Sequence, residues 1–222
     1  MTKTTDTQTA GQRDPAPKGR RVGRPAGSRR EETIARIRHS AMHIFTAKGY
    51  AATSFKDIAK DIHVTPATLY QYFDSKLALY VSLFDEIFDD LRPRYERVFS
   101  QRGHLRDQLC NLMTETLDSY ASHPEYSPFL AGATIDIVRD SELREMFSHR
   151  NGTLNDRLVS VFESAKQRGE LPLELDSEDI ASAFLGALMG IIWRQRGRQV
   201  GSAEKAINIF VMLIENRLFH KV

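Results

Sequence analysis

The segment from Ser54 to Lys76 is punctuated too closely for anything but two short helices, a tight turn and the start of a third helix. Thr65 precedes Pro66. A threonine hydroxyl can accept a bond from a free N–H of the first helical turn, and a proline at the first helical position gives up an N–H that would have no partner anyway. Upstream, Thr53 or Ser54 opens a helix, and Asp57 stands three residues after Ser54 as in a capping box. Downstream, Asp74 or Ser75 opens the next helix. Leu69 and Phe73, four residues apart, share one helix face. With Ile58, Ala59, Ile62 and Val64 they form a common apolar floor, which leaves Ala67, Thr68, Gln71 and Tyr72 facing outward or sideways. A helix-turn-helix needs this arrangement: a shared floor, and a second helix with one face free for base edges in a major groove.

The remainder reads as helix throughout. Ile34, Ile37, Ala41, Ile44 and Phe45 recur at steps of three or four, the period of one buried helix face, and Gly49 ends that helix. After Ser75, the residues Leu77, Tyr80, Val81, Phe84, Ile87, Phe88 and Leu91 mark a long helix to about Phe99. Pro93 is expected to kink it or bring its end closer. Further helices are expected over 104–122, 126–138, 140–168, 177–197 and 203–220, separated by His123-Pro124, Asp140-Ser141, Gly169 with Pro172, and Gly197 with Gly201. No strand-like alternation and no internal repeat is visible. The fold class is all-α.

Charge divides the chain. Residues 1–76 hold 14 Lys/Arg against 7 Asp/Glu, whereas residues 77–222 hold 17 against 22. A basic front suits a polyanion, and an acidic rear suits another task. Residues 1–28 have almost no apolar side chains and are expected to be a disordered basic arm. Within it, Gly23-Arg24-Pro25 resembles half of an AT-hook. Either Arg24 enters a minor groove or the arm attracts phosphates generally. The single cysteine, Cys110, rules out an intrachain disulfide framework and suits a reducing cytoplasm. No apolar run reaches the ~18–20 residues that span a bilayer, so no membrane role is expected. The polar N-terminus does not read as a secretory signal.

Residues 54–73, with Phe45 to Tyr50 and Thr53 before them and Ser75-Lys76 after, resemble the TetR family of transcriptional regulators in order and spacing. The resemblance implies an N-terminal three-helix DNA-binding domain over 29–76, with its motif at 54–73. It also implies a larger helical regulatory and dimerisation domain over 77–222. Carried over position by position, Thr53, Tyr70, Tyr72 and Lys76 resemble phosphate contacts, and Thr65 a cap beside a phosphate. Ala67, Thr68 and Gln71 resemble base contacts; glutamine can pair with adenine and alanine can meet a thymine methyl. One departure stands out: the family usually has a small residue and then glycine where this chain has Ile62-His63. That turn often needs positive φ, which histidine adopts at some cost.

The family pairs its last two long helices with those of a second copy. The apolar stretches 177–197 and 203–220 suit such a homodimer, or else an intrachain core. A twofold dimer would read a near-palindromic operator on double-stranded DNA. The resemblance also implies a cavity for a small apolar or amphipathic effector. Tyr120, Tyr126, Phe129, Phe147, Met189 and Trp193 are its candidate lining, with Met113, Met146 and Phe162 beside them, although simple core is the commoner role for each. His39 and His43 lie four apart but lack a third metal ligand. No metal or cofactor signature, phosphate-cradling loop or nucleophile elbow is present, so an enzyme is not expected. Two functions remain: a repressor released by its effector, and an architectural DNA-binding protein without one.

Overall fold

The computed structural model describes residues 26–101, 103–148, 152–194 and 202–215. They form ten helices, and among them there is no strand. The first, α1 (Ala26–Lys48), starts three residues before the expected onset, because its leading turns carry no apolar periodicity to mark them. Its inner face buries Ile37, Ala41 and Phe45. It stops at Gly49, whose φ of +80° suits glycine and whose N–H donates to the Phe45 carbonyl at 2.8 Å.

Helix α2 (Phe55–Asp61) begins on the expected capping box: the Ser54 side chain accepts from the Asp57 N–H, and the Asp57 carboxylate accepts from the Ser54 N–H. The Lys48 ammonium, 2.6 Å from Asp57, and the Ser54 donors hold that carboxyl far below its usual range. Ser40 donates to Asp61 at 2.6 Å and ties α1 to the end of α2. His63 then takes the turn at φ +58°. Helix α3 (Pro66–Tyr70) is capped by Thr65, and α4 (Lys76–Ser100) by Ser75, whose hydroxyl accepts from the Ala78 N–H at 3.0 Å.

Pro93 does not end α4, which continues seven residues beyond it. Proline removes one helical bond, but Pro93 is exposed and water can satisfy the carbonyl it frees, while Leu91, Tyr95 and Val98 hold the buried face. The regulatory part continues with α5 (Leu105–Ser122), α6 (Tyr126–Arg139), α7 (Ser141–Ser148), α8 (Gly152–Gln167), α9 (Ser177–Arg194) and α10 (Ser202–Ile214). The single helix expected over 140–168 is therefore two, α7 and α8. Asn151-Gly152 marks a break in the sequence, but Leu143, Phe147, Leu154, Leu158 and Phe162 keep a helical period across it and hide it.

One continuous core runs from α1 to α10. Helix α1 packs on α2, α4 and α6, α4 packs on α5, and α8 packs on α9. Tyr80 of α4 sits at the junction, fully buried, with its ring against Phe45, Tyr50, Phe84 and Phe129.

Candidate functional site

Helix α3 stands on the predicted floor. Leu69 is fully buried, Phe73 nearly so, and Ile58 and Ala59 lie beneath them. Thr65, Ala67, Tyr70 and Gln71 are exposed, while Thr68 and Tyr72 are half-buried. The Thr65 hydroxyl accepts from the Thr68 N–H at 3.3 Å and lies 3.0 Å from the Thr68 hydroxyl. Both hydroxyls therefore gather at the helix start, where open N–H groups favour an anion. Tyr70 is 60% exposed and leans on the Phe55 ring at 4.7 Å. Arg30 lies 5.2 Å over the Tyr72 ring.

Two of the candidate phosphate contacts are held by the chain itself. Thr53 is only 2% exposed, and its hydroxyl donates to the Gly49 carbonyl at 2.8 Å. It braces the turn between α1 and α2 instead of presenting a free hydroxyl. Lys76 donates to the Tyr50 carbonyl at 2.8 Å, and its ammonium sits 4.2 Å from the centre of the Tyr50 ring. It is thus a half-buried cation fixed at the edge of the reading head. Arg24 lies outside the described residues.

Tyr50 leads to a residue that sequence reasoning missed. Its backbone N–H donates to Asp136 Oδ2 of α6 at 3.0 Å, and the Tyr80 hydroxyl donates to the same oxygen at 3.0 Å. Burial pushes the Tyr80 phenol far above its ordinary range, so its proton stays on and the bond keeps this direction. Burial, with Glu142 and Asp140 nearby, likewise pushes the Tyr50 phenol up to about 12. A Cβ at Gly49 would approach Asp136 Oδ1 to 3.2 Å, so glycine serves both the φ and the space there. One carboxylate thus joins the end of α1, the first turns of α4 and α6. The available signal was a lone acid within the apolar run Phe129 to Val138, since a charge in such a run needs partners.

A cavity of about 710 Å³ lies among α4, α6, α7, α8 and α9. Its walls are mainly apolar, with Phe84, Phe88, Leu130, Ile137 and Leu185 prominent, and Asp85, Arg92, Glu96 and Arg157 add charge. Of the six candidate lining residues, Phe147 and Met189 stand on this wall. Tyr120, Tyr126 and Phe129 do not. Phe129 is 1% exposed and packs behind the wall against Phe84 at 5.2 Å. Tyr126 is buried and stacks on His123 at 4.6 Å, and Tyr120 packs half-buried against the core. The side chain of Trp193 lies outside the described residues. Met113 and Phe162 are core, and Met146 is partly exposed away from the wall. The aromatic wall of α4 was missed because its residues read as core. The signal was a second apolar stripe, Phe84, Phe88, Leu91 and Tyr95, beside the buried stripe of Leu79, Leu83 and Ile87.

The His39 and His43 rings meet edge-on at 4.6 Å, and both residues are exposed. Among the described residues no group of His, Cys, Asp or Glu could hold a metal ion, and no helix is long and apolar enough to cross a membrane.

A helix-turn-helix head joined to a helical body with an apolar cavity defines a DNA-binding transcriptional regulator. Residues 37–83 match the family of bacterial regulatory proteins called tetR, and residues 99–202 match the tetracyclin repressor-like C-terminal domain. The chain belongs to the TetR family. It is similar to the HTH-type transcriptional regulator EthR of Mycolicibacterium smegmatis, with 26% identity covering 76% of this chain and 75% of that one. It is also similar to the nucleoid occlusion factor SlmA of Vibrio cholerae, with 22% identity covering 75% of this chain and 83% of the relative. Its fold resembles that of the transcriptional regulator FadR from Bacillus subtilis, solved in complex with stearoyl-CoA. The TM-score there is 0.69 at 18% identity, covering 84% of this chain and 99% of that one.

Proposed function

We propose that the protein is a homodimeric repressor that leaves a near-palindromic operator when a small apolar or amphipathic molecule fills the cavity. In this reading residues 29–76 bind DNA and residues 77–222 regulate and dimerise, in the cytoplasm and without catalysis. Thr65, Tyr70, Tyr72 and Lys76 meet phosphates, Ala67, Thr68 and Gln71 meet bases, and Thr53 supports the head from beneath. The observation that carries the reading is that the cavity shares its walls with the joint that holds the head. Leu130, Ala133 and Ile137 of α6 face the cavity, and Asp136 of the same helix holds Tyr50. Phe84 of α4 faces the cavity one turn after Tyr80. An occupant that moves α6 against α4 therefore acts on the one carboxylate that both helices share. Repression is relieved only if the occupant prefers the displaced arrangement, since equal affinity for both shifts nothing.

Fluorescence anisotropy on a selected operator tests this. A cavity ligand should lower operator affinity by about 5- to 150-fold, the usual range for coupling between sites. Tight operator binding that no cavity ligand alters would favour the architectural alternative. That alternative draws support from the similarity to SlmA, whose name describes nucleoid occlusion.

A further inference from the structure

The apolar cavity does not end at its own wall. A second pocket of about 470 Å³ adjoins it among the end of α4, the start of α5 and α8. Phe99 and Arg157 line both spaces. The chemistry changes across that boundary. The second pocket is lined by Ser100, Gln101, Ser160, Ser164 and Arg168 beside the shared Arg157, with no aspartate or glutamate among the described residues of its lining.

Both arginines can accept a new partner at small cost. Arg157 pairs with Glu96 at 2.9 Å, but both side chains are about half exposed, 47% and 52%, so the pair adds little and water can replace it. Arg168 pairs with Glu170 at 2.5 Å. Glu170 also accepts the Leu105 N–H through its other oxygen, and that bond is the main reason its carboxyl lies below its usual range. Glu170 therefore keeps the Leu105 bond if Arg168 turns to a ligand. The two guanidiniums suit a head group with several anionic oxygens, because guanidinium forks bind such groups bidentately, and the serines and glutamines around them keep the chamber polar.

We infer that the regulatory site is two-chambered and takes an amphipathic anion, with its apolar body in the larger chamber and a phosphate, sulfate or carboxylate head in the smaller. This rests on the larger chamber being the effector cavity and adds the chemical class of its ligand.

The test is calorimetric titration of the full chain with decyl phosphate and with decan-1-ol, which share a tail and differ in the head. Decyl phosphate should bind at least about 10-fold more tightly, and only its binding should weaken with salt. The double substitution Arg157→Ala with Arg168→Ala should erase that preference. Ser164→Asp, which keeps both arginines and places a negative charge in the smaller chamber, should erase it too. Equal binding of the two probes, or a preference that survives both variants, overturns the anionic head and leaves the effector cavity standing. Failure of both probes to bind overturns the apolar chamber as well.

Discussion

Removing the Asp136 carboxylate should loosen the reading head without unfolding the protein. Asp136 Oδ2 accepts from the Tyr50 N–H and the fully buried Tyr80 hydroxyl, each at 3.0 Å. A hydrogen bond to a charged group contributes about 1.5–3 kcal/mol. The two share one oxygen and do not add in full, so Asp136→Ala should cost about 3 kcal/mol in urea unfolding. That is less than the ~5–15 kcal/mol that holds a typical domain, so the variant remains folded at 25 °C. The bond energy also sets a ceiling on how strongly the latch can bias the head. Operator affinity per folded molecule should fall by about 10-fold, which corresponds to ~1.4 kcal/mol. Tyr80→Phe should lose less, the double variant should be no worse than Asp136→Ala, and Asp136→Asn should recover part of the loss. Anisotropy titrations on the operator, corrected for the folded fraction, read this directly. If stability falls by about 3 kcal/mol while operator affinity stays at the parent value, Asp136 is only a strut and the coupling argument fails.

Other consequences are smaller. His63 sits at φ +58°, so His63→Gly should relieve backbone strain and raise stability by about 0.5–1 kcal/mol after the entropic cost of glycine; a drop in stability on urea unfolding would contradict this. Glu86 has an oxygen without a hydrogen-bond partner, and burial pushes its carboxyl up despite Arg38 at 3.9 Å. The fold therefore disfavours its charged form, so this contribution to stability falls as pH rises through the raised value. Glu86→Gln should stabilise at pH 7 by under about 1 kcal/mol, with the gain vanishing below ~pH 4, where the parent residue is neutral in both states; thermal melts across pH check it. Deleting residues 1–28 should weaken DNA binding and flatten its salt dependence by about 0.9 for each phosphate that the arm neutralises, and an unchanged slope would remove the arm from the interface.

The reading head was legible in the sequence because its determinants are local. Ser54 with Asp57, Thr65 with Pro66, and Ser75 are caps set by residues within three positions of one another. Gly49 and His63 mark positive φ for the same reason. The cavity was not legible. Phe84 and Phe129 have the same residue type and the same helical spacing, and only the packing of α6 on α4 makes one the wall and the other the layer behind it. Asp136 was missed because its partners lie 86 and 56 residues away. Lys76 was expected to contact a phosphate, whereas its bond to the Tyr50 carbonyl depends on how α1 meets α4.

The central claim is that α3 is one of two heads whose spacing decides what is read. Selection of binding sites from random duplexes by the full chain, with the stoichiometry measured on the winners, tests it most directly. The account predicts a near-palindrome with half-sites about one helical turn apart, bound by two chains. Recovery of a lone half-site bound by one chain, or no enrichment of any sequence, would contradict it.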